Sequence, residues 1–354
     1  MISISLCMIV KDEELVLGRC LNSVKNLVDE IIIVDTGSQD STKEKVKKYK
    51  ADIYDFPWQD DFAEARNFAF SKARMDYILW LDADDVLEKE DQRKLKLLKK
   101  SLNGNVDAVS MLYVLSIDEN NNPIVSLRRN RIVKRENNYI WIGKVHEYLE
   151  VYGNTLNADI AVNHLKDKEY TDRNLKIFRK MILKNEEFSP RDLFYYGNEL
   201  YDNEYYLEAI KAYNDFIDTK KGWIEDIKQA LIKISECYGF IGYKDKEEEY
   251  LFKGLQYDIP SSDLCCRIGY TFYEKEMNIK ISGVEYKRSG NKDLDIYIEL
   301  FGKKIYLKKS TKDFEKYDKI EKSGKIFNEV IYYERVASTI EITESEGVKS
   351  VLDT

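Results

Sequence analysis

The sequence contains only two histidines, His146 and His164, and only four prolines in 354 residues. Two histidines exclude a metal site built from three imidazoles. No apolar run reaches the ~20 residues of a membrane-spanning helix, and the N-terminus lacks the length and basic lead of a signal peptide. The five cysteines form no C-x-x-C pair. We therefore expect a reduced, soluble, cytoplasmic protein without stable membrane insertion.

An excess of positive charge is also absent, since 64 acidic residues outnumber 56 Lys and Arg and the formal net charge is −8. A protein without a basic surface is a poor partner for nucleic acid, and we expect none. The 44% of hydrophobic residues excludes disorder through most of the chain. A length of 354 residues exceeds a typical single domain and predicts two or more units.

The first hundred residues alternate between short apolar runs and amphipathic segments. The run "EIIIVD" has the β-branched composition of a buried strand, and "FAEARNFAFSKA" has the spacing of a helix. This alternation predicts an α/β domain with a mainly parallel sheet. Residues 106–163 are strand-rich and should add antiparallel strands. Ligands of such sheets bind at the carboxyl ends of strands, where Asp35 and Asp82 lie.

The chain after Tyr170 has helical patterns up to about residue 277. Pro190 and Gly197 recur as Pro260 and Gly269, and the offset of roughly 70 residues is twice the ~34-residue period of helix-hairpin repeats. We predict a tetratricopeptide-like region. The predicted domains are 1–165 (catalytic), 166–277 (helical repeats) and 278–354, a β-hairpin and tail of unknown role.

The strongest local signal is "YILWLDADDV", an apolar strand that ends in acidic residues. In an extended backbone Asp82 and Asp84 point to one side. Two such carboxylates can hold a hard divalent cation beside a diphosphate. The other interpretation is a cap for the helix that follows, and three acids exceed what capping needs.

Two further segments each have a functional and a structural interpretation. Asp35, in "IIIVDTGSQDST", can accept from a pyrimidine ring N–H, or belong to an ordinary turn before a helix. Arg66 can bind phosphate, or form an ion pair with Asp60 or Asp61.

Both histidines lie within nineteen positions, after the acid-rich strand. Glu147 next to His146 is a candidate general base, and His164 can complete a metal shell. A lone histidine is more often structural, and the spacing alone leaves that interpretation open.

As an ordered set, "SLCMIVKDEE", "IIIVDTGSQDST", "WQDDFAEARN", "LWLDADD" and "GKVHE" resemble family-two glycosyltransferases of GT-A fold. More narrowly, the chain is similar to the bacterial subgroup with tetratricopeptide repeats, which includes sublancin-type peptide S-glycosyltransferases. The similarity runs from Ser3 to about Phe216. Asp85 replaces the usual Glu, and Leu165 follows His164 where Gly-Tyr is common.

The resemblance implies roles for individual residues. The implied sugar-nucleotide site contains Val10, Glu13, Asp35, Arg66, Asp82, Ala83 and Asp84. The implied ligands of Mn²⁺ or Mg²⁺ are Asp82, Asp84 and His164. Glu147, with His146 beside it, stands at the position of the family's base. The remaining candidates, for contacts to acceptor or phosphate, are Arg129, Arg131 and Trp141.

The activity implied by the resemblance is inverting transfer of a sugar from a UDP-sugar, UDP-glucose or UDP-GlcNAc, to a protein or peptide. The acceptor atom is a Ser or Thr hydroxyl or a Cys thiol, and the helical repeats are candidates for homodimer contacts. One alternative is transfer to a cell-envelope glycan or lipid-linked sugar. Another is a non-catalytic repeat scaffold. Nucleotidyl transfer is disfavoured because "KDEELVLG" lacks a basic, Gly-rich loop.

Overall fold

The computed structural model describes residues 2–118, 123–165, 171–257 and 261–274, together with five short strands nearer the C-terminus. The chain divides into two compact units, Met1–Glu187 and Phe188–Thr354, and each is described by itself. Within the described residues, no helix is both long enough and apolar enough to cross a bilayer.

The described part of the first unit contains ten strands and five α-helices. The strands are β1 (Ile4–Val10), β2 (Glu30–Asp35), β3 (Asp52–Asp55), β4 (Tyr77–Trp80), β5 (Asp85–Val86), β6 (Ala108–Ile117), β7 (Pro123–Lys134), β8 (Trp141–Ile142), β9 (Tyr148–Leu149) and β10 (Thr155–His164). The helices are α1 (Leu17–Val24), α2 (Thr42–Lys47), α3 (Phe62–Ser71), α4 (Lys89–Ser101) and α5 (Arg173–Leu183).

Eight of these strands form one sheet in the order β3-β2-β1-β4-β7-β6-β10-β5. The first four are parallel to one another, so their carboxyl ends lie at one edge, as the alternating pattern predicts. The strand β7 is antiparallel to β4 and β6, as expected for the added segment. The strand β10 is parallel to β6, against that expectation, because the chain crosses over through residues 135–154 before it returns.

Apolar residues cover both faces of the sheet, as a mainly parallel sheet requires. Leu17 and Leu21 of α1 and Leu95 of α4 pack in one core. Ala65 and Ala69 of α3 pack in the other, against Cys7 and Ile32 of the sheet. This packing fixes the strand ends that carry the site.

The second unit is helical and then strand-containing. Its described elements are α6 (Pro190–Asp202), α7 (Tyr206–Asp218), α8 (Ile224–Phe240), α9 (Lys244–Gly254), α10 (Ser262–Glu274), β11 (Lys287–Arg288), β12 (Leu294–Leu300), β13 (Lys303–Lys308), β14 (Ile340–Ser345) and β15 (Val348–Asp353). A capping box of Ser189 and Asp192 starts α6. A Cβ at Gly197 would lie 2.6 Å from the Tyr213 ring, so α6 and α7 approach closely only because Gly197 has no side chain. The strands β12 and β13 pair antiparallel.

Candidate active site

The acid-rich segment leaves β4 and turns into the two-residue strand β5. Asp85 of β5 pairs with His164 at the end of β10. The next helix, α4, begins at Lys89 with Glu88 as its N-cap. Asp82, Asp84 and Asp85 are therefore not caps of that helix, and the pairing of β5 with β10 brings His164 to them.

Asp84, Asp85 and His164 form a group with the donor chemistry of a metal site. Their ligand atoms lie within 4.8 Å of one another. The Nδ1 of His164 is 3.3 Å from Asp84 Oδ1 and 3.5 Å from Asp85 Oδ1. Asp85 Oδ1 is buried and has no hydrogen-bond partner among the described residues. Two carboxylates and an imidazole, with one buried oxygen unsatisfied, fit a divalent cation.

The predicted metal ligands are thus brought together only in part. Asp84 and His164 meet, but Asp82 Oδ1 accepts a hydrogen bond from Arg66 Nη2 at 2.7 Å. Asp85, and not Asp82, is the third member of the group. Sequence reasoning missed Asp85 as a member of this group because its position depends on the pairing of β5 with β10, and the only signal was its place in "DADD".

Arg66 links Asp82, which follows β4, to Glu147, the candidate base. Its Nε donates to Glu147 Oε1 at 2.6 Å, while its Nη2 donates to Asp82. Asp61, the N-cap of α3, accepts from Glu64 N, and Asp60 pairs with Lys180. The alternative of an Arg66 ion pair with Asp60 or Asp61 is therefore wrong.

The charge of Arg66 acts strongly on Asp82. Burial alone would raise the pKa of Asp82, but the charges of Arg66 and Arg131 outweigh it and hold that pKa well below its usual range. The guanidinium carbon of Arg66 lies 5.2 Å from the Trp80 ring centroid and 4.8 Å from that of Trp141. Asp82 is therefore ionised at neutral pH.

Two of the three predicted acceptor or phosphate contacts are buried and need correction. Trp141 is 3% exposed and lies edge-on to Trp80, with ring centroids 4.7 Å apart, so it packs beneath Arg66. Arg131 has no exposed surface. Its guanidinium lies between the rings of Trp80 and Tyr113 and pairs with Asp85 at 3.0 Å. Neither side chain can reach an acceptor without rearrangement.

Arg129 is the exposed member of that set. Its guanidinium carbon lies 5.3 Å from the Tyr113 ring centroid, and its charge contributes to the lowered pKa of Asp82. Tyr113 in turn forms a hydrogen bond with His164 Nδ1 at 2.9 Å. Arg129 therefore remains a candidate for contact with substrate.

The segment that carries the candidate base is held in an unusual backbone conformation. His146 has φ +50°, in the left-handed region that few non-glycine residues adopt, and Gly143 has φ +98°. The Lys144 carbonyl accepts from Phe62 N at 2.9 Å, and Lys144 Nζ pairs with Glu186 at 2.6 Å. These contacts fix the loop, and with it the Glu147 carboxylate beside Arg66.

Asp35 lies at the carboxyl end of β2, in register with Val10 of β1. The backbone N–H groups of Gly37 and Ser38 donate to Asp35 Oδ2 at 3.1 and 3.0 Å. Burial would raise the pKa of Asp35, but these hydrogen bonds and Lys43 lower it overall. Asp35 Oδ1 is buried without a hydrogen-bond partner among the described residues.

Of the other predicted residues of the nucleotide site, Val10 and Glu13 lie near this strand end, and Ala83 follows β4. Val10 ends β1 and is 3% exposed. The backbone N–H of Glu13 donates to Thr42 Oγ1 at 2.8 Å, which ties the loop after β1 to the start of α2. Ala83 is 6% exposed between the two acids.

In the metal-free protein we expect His164 to remain protonated at neutral pH. The Asp84 and Asp85 carboxylates, 3.3 and 3.5 Å from its Nδ1, outweigh burial and raise the pKa of His164 from 6.5 to about 9. Because the pKa is higher in the folded state, this stabilisation is complete below about pH 6.5 and is lost as the pH rises through about 9. An NMR titration of the two histidine rings measures it, and His164→Asn identifies the resonance. Titration of His164 near pH 6.5 would contradict the prediction.

Residues 5–153 match the family model "Glycosyl transferase family 2". The chain is 31% identical over 243 residues to the "SPbeta prophage-derived glycosyltransferase SunS" of Bacillus subtilis. The aligned region covers 60% of this chain and 54% of SunS. It is 48% identical over 96 residues to a "TPR repeat-containing protein" of Synechococcus elongatus, 27% of this chain and 24% of that protein. The chain thus spans about half the length of SunS and a quarter of the cyanobacterial protein.

Among solved structures, "S. aureus TarS 1-349" is 12% identical with a TM-score of 0.40, covering 86% of this chain and 98% of that chain. Residues 268–353 match a second family model, "Putative stage IV sporulation protein YqfD".

The family model and the similarity to SunS show that residues 5–153 are a family-two glycosyltransferase domain, and the resemblance seen in the motifs is confirmed. The predicted fold class, a GT-A sheet followed by a helical region, is confirmed with it.

Proposed function

We propose that the protein transfers a sugar from a UDP-sugar to a polypeptide with inversion at the anomeric carbon, with a divalent metal ion. The observation that carries the proposal is the bridge from Asp82 through Arg66 to Glu147. It places a carboxylate that can accept a proton beside the acid-rich end of β4, and the Asp84, Asp85 and His164 group lies at that same strand end. Donor, metal and base then share one edge of the sheet.

Asp35 supports the choice of a uridine donor. Its buried Oδ1 lacks a partner in the described structure, and an unsatisfied buried acceptor is costly. The N–H of a uracil ring supplies the missing donor. Oδ2 is already occupied by two backbone N–H groups, so the carboxylate is held in place before the base arrives.

The group of Asp84, Asp85 and His164 would hold Mn²⁺ or Mg²⁺. When bound, such an ion offsets negative charge on the diphosphate of the donor. Asp82, ionised and held by Arg66, would accept a hydrogen bond from the ribose or lie beside the ion.

The chain's own residues account for the proton transfer. In the proposed step, Glu147 accepts the proton of the acceptor hydroxyl or thiol as that atom forms a bond to the anomeric carbon. The bond from that carbon to the diphosphate oxygen breaks, and UDP leaves with the electron pair. Arg66 orients Glu147 through the 2.6 Å hydrogen bond, and His146 is the second candidate for the base.

The helical second unit supports a polypeptide acceptor. The helices α6 to α9 are each packed against the next along the chain, as in repeat proteins that bind extended segments. A homodimer through these helices is part of the proposal and is tested by sedimentation.

Slow hydrolysis of sugar nucleotides without acceptor tests the donor half of the proposal. The protein is incubated with MnCl₂ and a panel of UDP-, GDP- and CDP-sugars, and release of the nucleoside diphosphate is measured. We expect hydrolysis of UDP-glucose or UDP-GlcNAc and its loss with EDTA. If the protein neither hydrolyses nor binds any sugar nucleotide, that result would favour a non-catalytic scaffold instead.

The Asp35 contact gives a sharper test of nucleotide choice. UDP should bind at least ~100-fold more tightly than CDP, because a site built to accept an N–H rejects a ring nitrogen that has none. Asp35→Asn should narrow that ratio, since the amide can donate to cytosine. Calorimetry with both nucleotides measures the ratio, and Glu44→Gln, an exposed acid of α2, is the control. An unchanged ratio in Asp35→Asn would exclude the contact.

A further inference from the structure

The strand β7 extends past the end of its neighbour β4. The two strands pair only from Tyr77 with Lys134 to Leu79 with Ile132. On its other side β7 is paired with β6 as far as Pro123. Among the residues that the structure describes, no strand pairs with 123–130 on the side of β4. An edge of this kind presents backbone donors and acceptors in a regular row.

One side-chain contact shows which backbone groups face this edge. Trp80 Nε1 donates to the Asn130 carbonyl at 2.7 Å, so that carbonyl points toward the side of β4. Backbone groups alternate in direction along a strand. The pairing with β6 is regular from Asn130 to Ser126, and the N–H and C=O groups of Arg128 and Ser126 therefore point to the same open side.

The open edge lies beside the candidate active site. Leu127 is paired across the strands with Tyr113, whose hydroxyl forms the 2.9 Å hydrogen bond with His164. Arg129, two residues further along β7, lies over the Tyr113 ring. Val125 and Leu127, which flank Ser126, are 49% and 39% exposed. A segment bound along this edge would run next to the metal and donor groups.

We propose that an extended segment of the acceptor polypeptide adds to the sheet along the open edge of β7, at residues 124–128. The inference rests on the proposed function and specifies its acceptor. Backbone N–H and C=O groups repeating every two residues, ~6.7 Å apart, match the main chain of another strand. A saccharide or lipid has no such repeat. Val125 and Leu127 contact alternate side chains of the bound segment.

The test compares two substitutions at one position. Ser126→Pro removes the outward N–H, at an edge position where proline is tolerated, and Ser126→Ala keeps it. The probe is a pool of peptides of about 12 residues with a central Ser, Thr or Cys, incubated with MnCl₂ and UDP-glucose or UDP-GlcNAc. Glycosylated peptides are identified by mass spectrometry and their KM is measured.

We expect Ser126→Pro to raise the peptide KM about tenfold or more, because an acceptor carbonyl loses its donor. Ser126→Ala should match the parent, and acceptor-free hydrolysis of the donor should be equal in all three proteins. Methylating the peptide's backbone nitrogens one at a time should weaken activity at every second position. That alternation would not arise from side-chain recognition.

Each other outcome overturns the inference. An unchanged KM in Ser126→Pro would exclude pairing at this edge. Donor hydrolysis without glycosylation of any peptide would exclude a polypeptide acceptor and leave the donor half of the proposed function intact. If the protein neither binds nor hydrolyses any sugar nucleotide, both the proposed function and this inference are wrong. A dimer that Ser126→Pro dissociates in sedimentation velocity would assign the edge to a second copy of the chain.

Discussion

Replacing Glu147 with glutamine should lower kcat by about 10²–10⁴-fold, the typical contribution of a positioned general base. The glutamine amide keeps an oxygen that can accept from Arg66, so the side chain should stay in place. The affinity for UDP should not change, because the base acts on the acceptor. Steady-state kinetics with a saturating donor, together with calorimetry of UDP, measures both quantities.

Glu150→Gln is the matched control, since Glu150 is exposed and lies three residues further along the chain. It should leave turnover close to that of the parent, because a surface substitution of this kind usually changes the free energy of unfolding by no more than about 0.5 kcal/mol. Near-parental turnover in Glu147→Gln would exclude Glu147 as the base. The same substitution test at His146 would then decide whether His146 accepts the proton.

Asp84→Ala should remove the dependence of UDP binding on Mn²⁺. Asp84 contributes one of the three ligand atoms of the metal group, and losing a direct ligand costs more than the ~10–100-fold lost with an outer partner. UDP affinity measured with MnCl₂ should fall to the value measured with EDTA. Donor hydrolysis should disappear with it.

Glu88→Ala serves as the control for Asp84→Ala. Glu88 is an exposed acid at the start of α4 and makes no capping hydrogen bond through its side chain. Glu88→Ala tests whether manganese-dependent UDP binding needs only negative charge near β5, and we expect that binding to be unchanged. Manganese-dependent UDP binding that survives in Asp84→Ala would remove Asp84 from the metal group.

Much of the fold could be predicted because its signals are local. The run at Glu30–Asp35 is a strand with the predicted bounds, and the helix predicted from residue 62 begins there. The direction of β10 could not be predicted, because a strand's composition does not record which neighbour it pairs with or in which sense.

The candidate site was predictable where single strands deliver side chains to their own ends. Asp35, Asp82 and Asp84 are of this kind. Arg131 and Trp141 were misplaced, because an Arg or Trp in a strand looks the same whether it faces solvent or is buried against another ring. The bridge made by Arg66 joins positions 81 and 16 residues away in sequence, and such pairings follow only from the three-dimensional structure.

The burial of Arg131 against Asp85 has a consequence for the charge balance of the site. Asp82, Asp84, Asp85 and Glu147 are four acids, and Arg66 and Arg131 are two fixed cations among them. A metal ion displaces the proton of His164, and two negative charges then remain, the number that one divalent cation balances. Because Arg131 is fully buried, the fold sets this excess of two negative charges. The excess favours binding of a doubly charged ion over a singly charged one before the donor binds.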